Sequence, residues 1–140
     1  MKQTQLKEKI LKVIQDQQIG TLATVKNQKP YSRYMTFFHE DLTIYSPTSL
    51  NTHKVEEIEK NPFVHILLGY EGNGYDDSYV EIEGKAVIST SYELKEKFWR
   101  EEFRAWFSGV DDPNYIVLKI QPSLTQLMNG EEEQPQVLET

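Results

Sequence analysis

Residues 31–38, YSRYMTFF, alternate along the chain: Tyr31, Arg33, Met35 and Phe37 fall on one face, Ser32, Tyr34, Thr36 and Phe38 on the other. That is the period of two a strand requires. Residues 42–46 resume the alternation after His39, Glu40 and Asp41, a polar break of hairpin length, so the two runs are expected to pair antiparallel. Residues 19–26, rich in Thr and Val, make a strand candidate ahead of a turn at 26–30. Residues 79–89 alternate over a longer run, with Val80, Ile82, Gly84, Ala86 and Ile88 on one face. Residues 115–120 alternate once more before Pro122, which is expected to break the strand, and 124–128 can add a short edge strand. Residues 63–70, FVHILLGY, are more continuously apolar and read as a strand covered on both faces. In so short a chain, six or so antiparallel strands protect their edges best by closing into a barrel.

Helices interrupt this pattern without the strict βα alternation of a doubly wound sheet. Leu6, Ile10, Val13 and Ile14 recur at helical spacing in residues 4–17. Val55 and Ile58 mark a short helix that should stop at Asn61-Pro62. Thr90 and Glu93 match a capping box, predicting a helix that runs on to Gly109 with Trp99, Phe103 and Trp106 as an aromatic stripe. The acids of the 71–77 connector, Glu71, Asp76 and Asp77, lack the alternation of a calcium loop, and no metal site is expected. Residues 1–128 thus read as one domain, and 129–140 as an acidic, disordered tail.

Fifteen basic against twenty-two acidic residues leave a formal charge of −7, which opposes nonspecific attraction to nucleic acid or an anionic membrane. No cysteine occurs, which removes disulfides, thiol catalysis and cysteine-ligated metals. No apolar run is long enough for a signal peptide or a membrane span, and a cytoplasmic protein is the expectation.

Against that acidic background, two potentially cationic side chains, His53 and Lys54, stand at the start of the second helix, after a hydroxyl-rich loop at 46–52. Backbone N–H groups and the positive end of the helix dipole make such a start an anion site. The same residues also fit a plain cap by Asn51 or Thr52 with a solvated Lys54. No glycine-rich dinucleotide fingerprint or P-loop is present.

The segments GTLATV (20–25), KPYSRYMTFF (29–38), LTIYSPTSLNTHKVEEIEKNP (42–62) and YVEIEGKA (79–86) resemble the pyridoxamine-5′-phosphate-oxidase-like flavin-binding split barrels, in particular their general-stress-protein branch. The resemblance covers roughly residues 10–128. It implies a mainly β fold, a six-stranded antiparallel split barrel with flanking helices, usually a homodimer with flavin mononucleotide (FMN) at each end of the interface. It also implies that Arg33 binds the flavin, with Tyr34, Met35 and Thr36 presenting backbone and side chain to it. Tyr45 and Ser46 match a cofactor-contacting pair at the end of the third strand. His53 and Lys54 stand where the oxidases carry Arg-Lys on the flavin phosphate, and Tyr79 lies near a ring-contacting Gln. Trp106 or its neighbours are expected near the other subunit's flavin.

Where oxidases of pyridoxamine phosphate carry a substrate-phosphate Lys, this chain has Phe38. Their Tyr, Arg and Ser at four-residue steps have no counterpart in residues 92–107, and their C-terminal Arg and His are missing. The expectation is therefore an FMN-dependent oxidoreductase of another substrate. The alternatives are a flavin-binding module without turnover, or a binder of deazaflavin or pyridoxal phosphate. His39, His53 and His65 have no ligand-like spacing, and no side chain stands out as a nucleophile or proton donor.

Overall fold

A computed structural model describes residues 2–139. Helix α1 (Gln3–Asp16) buries Leu6, Ile10, Val13 and Ile14, the stripe its spacing predicts. Strands β1 (Ile19–Lys26), β2 (Lys29–Thr36), β3 (Phe38–Glu40) and β4 (Thr43–Ser49) follow. Helix α2 (His53–Lys60) ends at Asn61, whose backbone N–H bonds back to Glu57 O before Pro62. The remaining strands are β5 (Phe63–Leu68), β6 (Tyr79–Ser89), β7 (Tyr115–Met128) and β8 (Gln136–Val137), with helix α3 (Tyr92–Lys97) between β6 and β7. Among the described residues no helix is long and apolar enough to cross a membrane.

All strand pairs are antiparallel, in one sheet of order β2-β1-β5-β6-β7-β4-β3 with β8 added beside β7. The fold is a mainly β split barrel, with eight strands where six are expected. The split lies between β2 and β4, where no ladder forms and Ser46 Oγ donates instead to Thr36 O at 2.7 Å. Inward side chains of the strands, with Val55 and Ile58 of α2 and the apolar stripe of α1, make one continuous core. A second cluster sits outside β3, β4 and β7: Phe38, Tyr45, Phe98, Tyr115 and Val117, with Trp99, Phe103 and Phe107 packed on it.

Several expectations are corrected. The run 31–38 divides at Phe37, whose N–H bonds Gln18 O. Its first part pairs with β1 along its whole length, and only Phe38–Glu40 form the hairpin with β4. Strand β7 runs through Pro122, because a register shift opposite Glu83 and Gly84 opens the ladder where proline has no N–H to give. Gly84 is needed there, since a Cβ would meet Gln121 O at 2.5 Å. Strand β5 alternates, with Val64, Ile66 and Leu68 inward while Phe63 and Leu67 stay exposed.

The third helix ends at Lys97, and a 3₁₀ turn (Glu101–Ala105) replaces its continuation. The capping box does not form: Ser91 is the N-cap, without a side-chain cap bond. Trp99 and Phe103 pack edge-on against each other and around Tyr115, so the stripe is not one helical face, and Trp106 is left 73% exposed. Residues 136–138 are not a disordered tail. Gln136 and Val137 pair with β7, and Leu138 enters the main core.

Candidate phosphate site at the barrel split

Strand parity turns Arg33 inward from β2, opposite Leu22 and close to Thr24 of β1. Its Nη1 donates to Leu22 O at 3.3 Å and to Thr24 Oγ1 at 2.7 Å, and its Nη2 to Glu57 Oε2 at 3.0 Å. Thr24 Oγ1 in turn donates to Glu57 Oε2 at 2.7 Å, closing a ring of three side chains. Thr24 and Glu57 are buried, and Arg33 is about a quarter exposed. Lys54, one helical turn before Glu57, joins this group electrostatically. Burial chiefly, and then Arg33, hold its pKa below the usual lysine value, with Glu57 opposing.

Two cations against one carboxylate leave this half-buried group with a surplus positive charge. The start of α2 adds to it. Thr52 is the N-cap, but its hydroxyl donates to Ser49 O at 3.0 Å and makes no cap bond; among the described residues no side chain takes the first-turn N–H groups, and of these Val55 N–H bonds Thr52 O. The plain-cap reading of Thr52 is thereby excluded. A partly desolvated positive surplus beside open helix N–H groups is an environment suited to a phosphate dianion.

The other site candidates occupy different places in the single chain. His53 lines a cavity of about 360 Å³ between α2 and the β1–β2 hairpin, together with Glu57, Lys60 and Asn27. Met35 packs against the main core, and Thr36 offers its carbonyl to Ser46 across the split. Tyr45 lies in the outer aromatic cluster, 4.8 Å from the Phe98 ring, and burial raises its pKa, followed by the charge of Glu40 and opposed by Lys97. Tyr34 and Tyr79 come together on the outer face of the sheet, in a cavity of about 280 Å³ with Ile19, Leu67 and Tyr70. Trp106 borders a separate cavity of about 370 Å³ with Pro47, Ser49 and Phe107.

Phe38 is buried, stacked at 5.5 Å on Phe98 with the Arg100 guanidinium 4.6 Å above its ring. Thr24 and Glu57 are the members of the ring that motif reading missed. Thr24 shares the inward parity of Leu22, and Glu57 lies between the core-facing Val55 and Ile58, so each is a polar residue at a buried position.

The split barrel and its cation-rich cluster agree with what comparison with known proteins shows. The chain belongs to the pyridoxamine 5′-phosphate oxidase family, whose model matches residues 6–129. It is 55% identical to general stress protein 26 of Bacillus subtilis over 139 residues, 99% of each chain. The crystal structure of general stress protein 26 from Bacillus anthracis superposes with a TM-score of 0.82 at 44% identity, covering 90% of this chain and 95% of that one. A Clostridium acetobutylicum protein related to general stress protein 26 shares the fold at 18% identity, with a TM-score of 0.78 and coverage of 98% and 95%.

Proposed function

We propose that the chain binds FMN, with the phosphate between Arg33, Lys54 and the start of α2, and acts as a flavin-dependent oxidoreductase on a substrate other than pyridoxamine phosphate. The observation that carries this reading is the surplus positive charge of the Arg33, Lys54 and Glu57 group beside uncapped helix N–H groups. Bound there, the flavin supplies the redox chemistry. The chain's own residues bind the phosphate and shield it from water, and Tyr34 and Tyr79 line a cavity on the outer face that suits part of the ring.

A second copy of the chain closes the site. Ile19, Tyr34, Phe63 and Leu67 are exposed on the same outer face of β2, β1 and β5, an apolar patch that a second copy would cover. In a two-fold homodimer the exposed Trp106, or its neighbours, is the group proposed to meet the partner's flavin. The buried, aromatic setting of Phe38 supports a substrate without the oxidases' phosphate, because the side chain itself carries no charge and the Arg100 guanidinium is stacked over its ring.

Titration with FMN and with riboflavin tests the phosphate reading: FMN is expected to bind at least about tenfold more tightly, and equal affinities refute it. Oxidation of reduced nicotinamide faster than by free FMN separates an enzyme from a binding module.

A further inference from the structure

Arg33 has five N–H donors, of which Nη1 and one N–H of Nη2 are used within the chain. Thr24 Oγ1 and Glu57 Oε2 sit side by side on the end of the guanidinium between Nη1 and Nη2, bonded to each other at 2.7 Å. What remains without a partner among the described residues is Nε and the second N–H of Nη2. These two point the same way along the side of the group, the spacing that takes two oxygens of one phosphate.

We propose that Glu57, held by Thr24, is the positioning residue of the phosphate site: it clamps the end of Arg33 so that the Nε and Nη2 side faces the ligand. This rests on the FMN reading above and adds to it a residue that does not touch the ligand. A carboxylate this near a bound phosphate would repel it if its charge were unspent. Here the carboxylate's charge is matched by Arg33, and Lys54 supplies the surplus. The pair therefore need not open for the ligand to enter, and Arg33 arrives without rotamer freedom left to lose.

The test is the ratio of the riboflavin and FMN dissociation constants, in which contributions of the ring cancel. A wild-type ratio near one overturns the phosphate reading and this inference with it. With a large wild-type ratio, Glu57→Ala should lower the ratio about tenfold, the value of one charge-assisted hydrogen bond, because Arg33 then swings free. An unchanged or raised ratio overturns the clamp, leaving Glu57 a fold-stabilising group or a competitor of the ligand.

Thr24→Val keeps the volume, removes Thr24's bonds to Glu57 and to Arg33 while leaving their direct pair, and serves if Glu57→Ala does not fold. It should lower the ratio severalfold, and no change overturns the proposal. Glu57→Gln keeps an acceptor for Arg33 and removes a negative charge, so the ratio at neutral pH should not fall, while its alkaline decline moves to lower pH. Lys54, facing Arg33 of β2 and neighbouring His53, Glu56 and Glu57 of α2, loses in that variant the one attraction that favours its proton. An alkaline decline that does not move overturns the shared-charge account, since a purely structural Glu57 would leave it in place.

Discussion

Lys54 keeps its ammonium half-buried beside Arg33, and both circumstances favour the neutral amine. A phosphate placed there reverses the balance by pairing with the charged form. As pH rises, Lys54 gives up its proton earlier than a solvated lysine does, so FMN affinity should decline on the alkaline side before the ordinary lysine range. Fluorescence titrations across pH check this, and in Lys54→Arg the decline should be absent, because guanidinium stays charged. Arg33→Ala and Lys54→Ala should each weaken FMN about ten- to a hundredfold while sparing riboflavin. Lys7→Ala, on the polar face of α1 where Lys7 pairs with Asp41 rather than with the cluster, should leave both affinities alone. Arg33 and Lys54 were legible because type and place suffice to suggest an anion. Their partners Thr24 and Glu57 were not, because a ring of hydrogen bonds between a strand and a helix leaves no local spacing to read.

Among elements, the loop after β5 shows how one side chain can stand in for a ladder. Asp77 accepts from Glu71 N at 2.8 Å, Asn73 N at 2.9 Å and Asn73 Nδ2 at 3.0 Å. These bonds, the Asn73 backbone N–H foremost, hold its pKa below the usual carboxylate value. A depressed carboxylate stabilises the fold above its unfolded pKa, near 3.9, and the contribution is lost as pH falls through the folded value. Asp77→Ala should therefore melt below wild type at neutral pH, and the gap in Tm should close in acid below about pH 4. The α3 region carries the opposite lesson, since Thr90 and Glu93 have the letters of a capping box yet the helix ends at Lys97. Burying Phe98 against Tyr45 and Phe38 favours a sharp departure from the helix over its continuation. Phe98→Ala should cost about 3–5 kcal/mol in denaturant unfolding, as expected for a large aromatic removed from a packed cluster. Strands β1 and β6 keep the bounds read from alternation because each has one wet face, whereas β7 hid its continuity behind a proline that only a bulge makes tolerable.

For the whole molecule, the barrel leaves apolar groups open on one sheet face, and sedimentation at micromolar concentration with FMN present should report twice the chain mass. A monomer with flavin bound would rule out a site shared between copies. Trp106→Ala should alter the fluorescence of bound flavin; if it does not, Trp106 lies outside the pocket and the dimer still stands. The eight-stranded count exceeded expectation because the run 31–38 divides into β2 and β3 and because the last strand is only two residues long, too short for any period to register. That short strand ties the latest part of the chain to the earliest: Gln3 Nε2 donates to Val137 O at 3.3 Å, Glu139 N donates to Gln3 Oε1 at 2.8 Å, and Leu138 is buried with Leu6 in the core. During synthesis on a ribosome the first helix leaves the exit tunnel long before its clasp exists. The barrel's end therefore stays unlatched until residues 136–139 have followed the helix out, which makes closing that seam a late, long-range step of folding.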